Sequence, residues 1–304
     1  MSSLKSYLYL KEPDSKCHRL TDLLCINNLK KYFPVKKTLR EIFRFNNEHY
    51  VKAVDDISFN VQKGKVFVLA GESGSGKTTV ARLVLRAIEP DSGTIIFDGD
   101  DITRKNEKQL RKIRTSIQMV YQDPYTSLNP RMRILDIVME PLNVNNKHSS
   151  KAEKREKVLK ILEDVRLRRA EEISEKFPHM LSGGQRQRVA LARSVVLTPK
   201  LIIADEPVSM LDVSVRAEIL ELMANLKDRL KVSYLYITHD LSTARYIGDD
   251  IAIMRDGKIA EIGNIDRVLL HPAHPYTRAL IEAISDPDPD NLQREKNINL
   301  NLRI

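Results

Sequence analysis

The sequence has few cysteines and no long apolar run, and both absences restrict what the chain can be. Its two cysteines, Cys17 and Cys25, are too few for a disulfide framework and lack the C-x-x-C spacing of a metal-binding pair. The longest apolar runs, at 66–70 and 201–204, are far shorter than the roughly 18 to 20 residues needed to cross a bilayer. Residues 1–11 lack the apolar stretch and small-residue cleavage site of a signal peptide. We therefore expect no membrane span and no secretion.

The composition is that of a globular protein. Of 304 residues, 42% are hydrophobic and 30% are charged, which excludes disorder of the whole chain. Lys and Arg number 50 against 41 Asp and Glu, giving a formal net charge of +9. This modest excess favours anionic partners only weakly, so nucleotide phosphates, an acidic membrane surface and nucleic acid all stay open here.

The apolar pattern predicts a mixed α/β domain. Alternating apolar residues through 51–61 and the run at 66–70 are typical of strands, and helical spacing follows at 80–88. The dipeptides Asp98-Gly99 and Asp256-Gly257 predict two tight hairpins.

A helical insert is predicted between about residues 124 and 176. One of its helices is expected to begin at Ser150, with Glu153 completing a capping box. The basic and polar stretch 36–49 favours a surface excursion, and the tail 291–304 is expected to be loosely structured.

A glycine-rich segment fits the phosphate-binding pattern G-x-x-x-x-G-K-[ST], and it lies between a buried strand and a helix. Its glycines let backbone N–H groups surround an anion at a helix N-terminus. Lys77 is expected to reach the β- and γ-phosphates, and Thr78 to offer its hydroxyl to Mg²⁺. A purely structural glycine turn is the alternative, which the strand and helix context disfavours. The predicted nucleotide-binding residues here are Gly71, Glu72, Ser73, Gly74, Ser75, Gly76, Lys77, Thr78 and Thr79.

Two carboxylates, Asp205 and Glu206, end the second long apolar strand. Charge is costly at such a position unless a cation or a reaction requires it. Asp205 fits a carboxylate linked to Mg²⁺, and Glu206 fits the base that orients and deprotonates an attacking water. By themselves such strand-end acids are as often merely solvated; beside Lys77 the catalytic interpretation is favoured.

A second glycine pair precedes an amphipathic helix. Ser182 alone would serve as its N-cap, which leaves Gly183, Gly184 and Gln185 unexplained. Glycines and a hydroxyl at a helix start make a second anion site. One nucleotide needs one such cradle, so either the chain binds two ligands or the second cradle serves a nucleotide held by another chain.

The order of these motifs, from about residue 23 to residue 289, resembles the nucleotide-binding subunit of an ATP-binding-cassette (ABC) transporter. The segment 181–185 is similar to the signature motif of that family. The resemblance implies an α/β P-loop NTPase fold with an antiparallel β subdomain, a RecA-like core and a helical insert. It also implies a head-to-tail pair of domains, with two ATP molecules between the phosphate loop of one chain and the signature of the other.

Three further positions are assigned by the resemblance. Gln122 resembles the glutamine that senses Mg²⁺ and the attacking water and joins the helical insert to the core. Asp212 resembles the residue that communicates across the dimer, and His239 the switch histidine that contacts the γ-phosphate. The implied catalytic residues are thus Glu206, His239 and Gln122, and the implied metal ligands are Thr78, Gln122 and Asp205.

An aromatic residue of the first strand stacks on adenine in the family. Phe33 aligns best with that position, with Tyr32 as the alternative, and an aromatic ring on a base contributes about 1 to 3 kcal/mol in comparable stacking. Core packing is a competing interpretation of Phe33.

Three segments, 122–131, 205–217 and 274–280, resemble the oligopeptide/dipeptide importer subfamily and the second ATPase of its pair. We expect an N-terminal extension at 1–22, the nucleotide-binding domain at 23–263 with its helical subdomain at about 124–186, and a C-terminal extension at 264–304. Met210 stands where the family usually has alanine. Some relatives carry cysteines for an iron–sulfur cluster in the extension; this chain has none after Cys25, so we predict no such cluster.

The resemblance implies a partner set. It comprises a second ABC ATPase forming a heterodimer, two transmembrane permease subunits, and an extracytoplasmic solute-binding protein acting through the permease, with this chain at the cytoplasmic face of the membrane. Similar ATPases drive oligosaccharide uptake, so the solute stays open.

Two other classes of function are less well supported by the sequence. A nucleic-acid- or ribosome-associated ATPase is permitted by the charge, but such members carry a long coiled coil between phosphate loop and signature or two cassettes in one chain. A regulatory module that binds ATP without hydrolysis is disfavoured by Glu206, His239 and the complete signature.

Overall fold

Two sheets carry the fold in the computed structural model, which describes residues 21–35, 50–145 and 149–285. The predicted excursion at 36–49, most of the N-terminal extension and the tail at 291–304 lie outside the described residues. The first sheet is antiparallel, with the strand order β2-β1-β4-β5. Its strands are β1 (Asp22–Pro34), β2 (Tyr50–Gln62), β4 (Ser92–Phe97) and β5 (Asp100–Asp101).

The second sheet has six strands in the order β10-β9-β3-β8-β7-β6. Only β10 runs antiparallel to its neighbour. Strands β3, β7 and β8 are buried along their whole length, as parallel strands covered on both faces must be, which explains their unbroken apolar runs. The strands are β3 (Val66–Ala70), β6 (Ile117–Val120), β7 (Leu201–Asp205), β8 (Ser233–Thr238), β9 (Asp250–Arg255) and β10 (Lys258–Asn264).

Helices cover the second sheet and form the insert. Those that accompany the sheet are α1 (Lys77–Val84), α2 (Glu107–Ile113), α7 (Gly183–Val195), α8 (Val213–Leu230) and α9 (Leu241–Ile247). Those of the predicted insert are α3 (Pro124–Ser127), α4 (Ile134–Asn145), α5 (Lys151–Asp164), α6 (Ala170–Ser174) and a 3₁₀ turn (Pro178–Met180). Two helices follow β10: α10 (Ile265–Leu270) and α11 (Pro275–Ser285). No helix in the described ranges is both long and apolar enough to cross a bilayer.

The parallel sheet divides two apolar clusters. Val66 and Val68 of β3 pack into the cluster that contains the insert helices, whereas Phe67 and Leu69 pack into the cluster beneath the antiparallel sheet. This division follows from the alternation of side chains along a strand. Because β3, β6, β7 and β8 run parallel, their carboxyl ends lie at the same end of the sheet, and loops from both clusters converge there.

Local predictions are confirmed at the caps and turns and corrected at one helix. Ser150 Oγ accepts from Glu153 N at 3.2 Å and Glu153 Oε2 accepts from Ser150 N at 2.8 Å, so the predicted capping box is present. Both predicted hairpin turns are present, with φ of 49° at Asp98 and 47° at Asp256. The helix expected at 80–88 instead spans Lys77–Val84, because the phosphate loop supplies its start at Gly76.

Candidate active site

The phosphate loop connects β3 to α1 and is tightly packed by its neighbours. A Cβ atom at Gly71 would lie 2.1 Å from the carbonyl oxygen of Met254, and one at Gly76 would lie 2.0 Å from that of Ala53. Gly76 also has a φ of 108°, a conformation that strains other residues. Backbone crowding therefore explains why glycine is needed at these two positions of the motif.

Lys77 is buried at the first position of α1, with 5% of its surface exposed. Its Nζ donates to the carbonyl oxygens of Gly71 at 2.8 Å and Glu72 at 2.7 Å. Burial lowers the pKa of this ammonium, although the Glu206, Asp205 and Glu72 carboxylates act in the opposite direction. A cation that is desolvated in this way is set to gain from an incoming anion such as a phosphate group.

Thr78 and Asp205 offer the ligands that Mg²⁺ prefers. The Thr78 hydroxyl donates to Asp205 Oδ1 at 3.4 Å, and Asp205 is 6% exposed at the end of β7. Burial raises the pKa of the Asp205 carboxyl, the Thr78 hydrogen bond opposes this, and Glu206 adds to it. An incompletely compensated carboxylate beside a hydroxyl fits a small divalent cation that keeps water and phosphate ligands. The predicted ligand Gln122 faces the same cleft.

Glu206 joins the predicted catalytic residues into one cluster. Its Oε2 accepts from Gln122 Nε2 at 2.9 Å, and its Oε1 lies 2.9 Å from His239 Nδ1. The three residues follow β7, β6 and β8, so the parallel sheet brings them together from positions far apart in the chain. Glu206 has a φ of 47°, a strained conformation for a residue with a side chain, and its amide donates to Ile237 O at 2.8 Å. The cluster can orient a water molecule and accept its proton.

A cleft of ≈ 940 Å³ contains the phosphate loop and this cluster. The predicted residues that line it are Glu72, Ser73, Gly74, Gly76, Lys77, Thr78, Thr79, Gln122, Glu206 and His239. The buried Gly71, Ser75 and Asp205 lie behind this surface. Sequence reasoning missed Tyr50, Val51 and Lys52 of β2, the hairpin residues Asp256 and Gly257, and Leu280 of α11, all of which line the cleft.

The two aromatic candidates for adenine lie outside the cleft lining. Phe33 is 38% exposed and pairs with Val51 across β1 and β2. The Tyr32 hydroxyl donates to Asp55 Oδ1, which raises the pKa of the phenol and lowers the pKa of the carboxyl. Tyr50, which is 49% exposed, is the aromatic residue that lines the cleft. Tyr50 begins β2, on the far side of residues 36–49, which lie outside the described residues. The pattern of β1 could therefore not have indicated Tyr50.

The signature residues lie at the start of α7 and are not part of the cleft lining. Ser182 Oγ accepts from Gln185 N at 3.2 Å and Gln185 Oε1 accepts from Ser182 N at 3.0 Å, forming a capping box. This corrects the view that an N-cap explains Ser182 alone, because Gln185 is its reciprocal partner. Asp212, at the N-terminus of α8, is exposed and makes no side-chain capping bond. The neighbouring Met210 is 58% exposed.

Known families match both parts of the chain. The family described as ABC transporter matches residues 54–209, and the oligopeptide/dipeptide transporter C-terminal region matches residues 260–302. Among solved structures, a dimeric post-hydrolysis state of the ATP-binding cassette MJ0796 bound to ADP and Pi is 27% identical, with a TM-score of 0.69 over 80% of this chain and 99% of that chain. CbiO1 from Clostridium perfringens is also 27% identical, with a TM-score of 0.70 over 83% of this chain and 92% of that chain.

Curated relatives are similar over most of their length. The dipeptide transport ATP-binding protein DppF of Haemophilus influenzae is 46% identical over 91% of this chain and 82% of its own. The oligopeptide transport ATP-binding protein OppF of Streptococcus mutans is 45% identical over 86% of this chain and 84% of its own. Together with the sheets and the cleft, these matches confirm the predicted fold. The chain therefore belongs to the ABC transporter ATP-binding family, with the C-terminal region of the oligopeptide/dipeptide transporters.

Proposed function

We propose that this chain is the ATP-hydrolysing subunit of an importer that takes up dipeptides or oligopeptides through a separate membrane permease. The observation that carries the ATPase assignment is the cluster of Glu206, Gln122 and His239 in the cleft that holds Lys77. The peptide assignment is supported by relatives named as dipeptide and oligopeptide transport ATP-binding proteins.

In this proposal the polar residues of the cleft bind the phosphates, activate the attacking water and hold the metal ion. Lys77 exchanges its carbonyl partners for the β- and γ-phosphates. Glu206 accepts a proton from the attacking water, while Gln122 and His239 hold that water and the carboxylate in place. Thr78, Asp205 and Gln122 would hold Mg²⁺, which neutralises developing charge on the phosphates when bound. The products are ADP and inorganic phosphate.

The signature residues act on a second nucleotide in this proposal. Ser182, Gly183, Gly184 and Gln185 lie outside the cleft lining, so a phosphate in that cleft does not reach them through this chain alone. We propose that they face the nucleotide of a second ABC ATPase in a head-to-tail heterodimer, with Asp212 near the dimer contact. ATP binding closes the pair and hydrolysis reopens it.

The remaining partners are proposed from the family. Two permease subunits would dock near Gln122 and the helical insert, holding the chain at the cytoplasmic face of the membrane, and a solute-binding protein would act through them. The domain boundaries at 22 and 263, the absence of an iron–sulfur cluster and the absence of a nucleic-acid partner stay predictions. Uptake assays with peptides and oligosaccharides, on the complex purified with the permease, would identify the solute; uptake of oligosaccharides alone would contradict the peptide assignment.

The variant Glu206→Gln tests the catalytic assignment. It keeps the shape of the side chain but removes the base, so ATP turnover of the purified complex should fall by about 10²- to 10⁴-fold. Binding of ATP to the variant should stay within twofold of wild type. Glu89→Gln, a change at an 88% exposed glutamate, is the matched control and should keep full turnover. Normal hydrolysis by Glu206→Gln would remove Glu206 from this role.

A further inference from the structure

Helix α11, in the C-terminal extension, forms part of the nucleotide cleft. Leu280 is 8% exposed and lines the cleft together with Glu72 and Gly74 of the phosphate loop. Tyr276 lies one helical turn earlier, at a spacing that places it on the same face as Leu280. The extension thus contributes to the site itself and does not merely follow the domain.

Tyr276 is buried next to the phosphate loop. Its side chain is 4% exposed, and the guanidinium of Arg255 lies 4.7 Å from the centre of its ring. Burial raises the pKa of the Tyr276 phenol, and the nearby Glu72 carboxylate raises it further. Glu72 lines the cleft with Leu280, one turn away from Tyr276 on the same helix, and by strict hydrogen-bond geometry the Tyr276 hydroxyl has no partner among the described residues. A buried hydroxyl of this kind is costly unless it has a partner in another state of the protein.

Glu72 connects this hydroxyl to the phosphate-binding lysine. The carbonyl oxygen of Glu72 accepts from Lys77 Nζ at 2.7 Å and from Ser75 N at 3.3 Å. A shift of Glu72 therefore changes the position of the ammonium that receives the phosphates. When Lys77 turns to a nucleotide, the carbonyl oxygen of Glu72 loses its lysine donor, and the unpartnered Tyr276 hydroxyl is a buried donor on the helix that lines the cleft beside Glu72.

A second contact joins the same two regions through the β9–β10 hairpin. Arg255 ends β9, and two residues later the amide of Gly257 donates to Ser75 O of the phosphate loop at 3.0 Å. The start of α11 is held to β10, because the amides of Ala273 and His274 donate to the Glu261 carboxylate at 2.9 and 3.1 Å. The hairpin thus lies between the extension and the loop and fixes both.

We propose that Tyr276 is a positioning residue that couples the C-terminal helix to the phosphate loop through Glu72 and so increases the affinity of the cleft for nucleotides. This inference rests on the proposed function, because it assigns a role at the same ATP site. It gives the extension a task within the ATPase cycle that is separate from any contact with the permease.

The test is nucleotide binding by the full-length chain, measured by calorimetry with ADP and with a non-hydrolysable ATP analogue. Tyr276→Phe keeps the ring and its contact with Arg255 but removes the hydroxyl. We expect Kd to rise about fivefold for both nucleotides, while kcat at saturating ATP stays within twofold. The midpoint of thermal unfolding without nucleotide should not fall, since removing an unpaired buried hydroxyl is neutral or stabilising.

Thr277→Val is the matched control. Thr277 is fully buried on the same helix, and its hydroxyl likewise has no hydrogen-bond partner among the described residues. Its Kd should stay within twofold of wild type. A Glu72→Gln background provides the coupling test, in which Tyr276→Phe should change Kd by less than twofold.

Three outcomes would overturn the inference: an unchanged Kd in Tyr276→Phe, an equal rise in Thr277→Val, or a full fivefold effect that persists in the Glu72→Gln background. Wild-type protein that fails to bind ATP would instead contradict the proposed function. The two failures are thereby distinguishable.

Discussion

Two glycine-containing segments begin helices in this chain, and their surroundings differ. At the phosphate loop, a Cβ at Gly71 or Gly76 would collide with backbone carbonyl oxygens at 2.1 and 2.0 Å. At the signature, the one described atom within 4 Å of a Cβ at Gly183 would be Leu211 Cδ2 at 3.6 Å, an ordinary contact. Packing within the chain therefore requires glycine at these phosphate-loop positions but not at Gly183. Within the described residues nothing requires glycine at Gly183, so a need for glycine there would come from a group beyond them.

The phosphate loop and the signature also differ in their buried charges. The phosphate loop holds a buried ammonium whose pKa is lowered by burial, and a buried carboxylate lies beside it. The signature has no such pair; its polar groups satisfy one another in the capping box of Ser182 and Gln185. One segment is poised for a ligand within its own chain, and the other is a complete helix start that a ligand can approach from outside.

The largest expected effect is at Lys77. Lys77→Ala removes the buried cation, and charge-assisted hydrogen bonds contribute about 1.5 to 3 kcal/mol each, so nucleotide affinity should fall at least about 100-fold. Calorimetry with the full-length chain measures this, and circular dichroism checks that the fold is kept. Lys63→Ala, at a lysine that is 52% exposed, should bind normally. Retained affinity in Lys77→Ala would break the contrast between the two segments.

The local sequence was sufficient to predict a structural element wherever one residue type has one physical use. The capping box at Ser150, the hairpins at Asp98 and Asp256, and the buried strands before Lys77 and Glu206 all follow from spacing and composition. The resemblance supplied Gln122 and His239, and the parallel sheet brings both to Glu206.

Contacts between distant segments could not be predicted in this way. Tyr32 satisfied the aromatic pattern, yet its hydroxyl is bonded to Asp55, a residue on a different strand. Tyr50 and Leu280 reach the cleft because β2 and α11 pack beside the phosphate loop, and nothing in the sequence around either residue indicates this.

The start of α1 differs from the predicted one for a local reason. The loop glycine, Gly76, sets the start of the helix, and apolar spacing does not report this.

An intermediate effect is expected at the signature glycines. Gly183→Ala has room for its methyl group and gains helix propensity, so stability should be unchanged or rise by about 0.5 kcal/mol. If the helix start contacts a partner's nucleotide, turnover of the assembled ATPase should still fall about tenfold, which corresponds to about 1.4 kcal/mol. Binding of ATP to the isolated chain should not change.

Gly184→Ala is the contrasting variant. Its methyl group would lie 2.7 Å from Val215 Cγ1, so it should destabilise the fold by about 1 kcal/mol in urea unfolding. Full turnover by Gly183→Ala would contradict a contact between Gly183 and a partner's nucleotide, and packing against Val215 would then be the remaining reason for glycine at Gly184 alone.

The smallest expected effect separates the two uses of Ser182. Ser182→Ala removes the cap of α7 and should lower the free energy of unfolding by about 1 kcal/mol, because Gln185 N loses its acceptor. Ser182→Asn retains a capping oxygen and should unfold within about 0.5 kcal/mol of wild type. In a composite site the larger amide disturbs the approach of a partner's phosphate, so Ser182→Asn should be a stable protein with reduced turnover in the assembled complex. Equal turnover in wild type and Ser182→Asn, with a loss only in Ser182→Ala, would assign the serine to capping. The other signature residues would then be the ones that contact the second nucleotide.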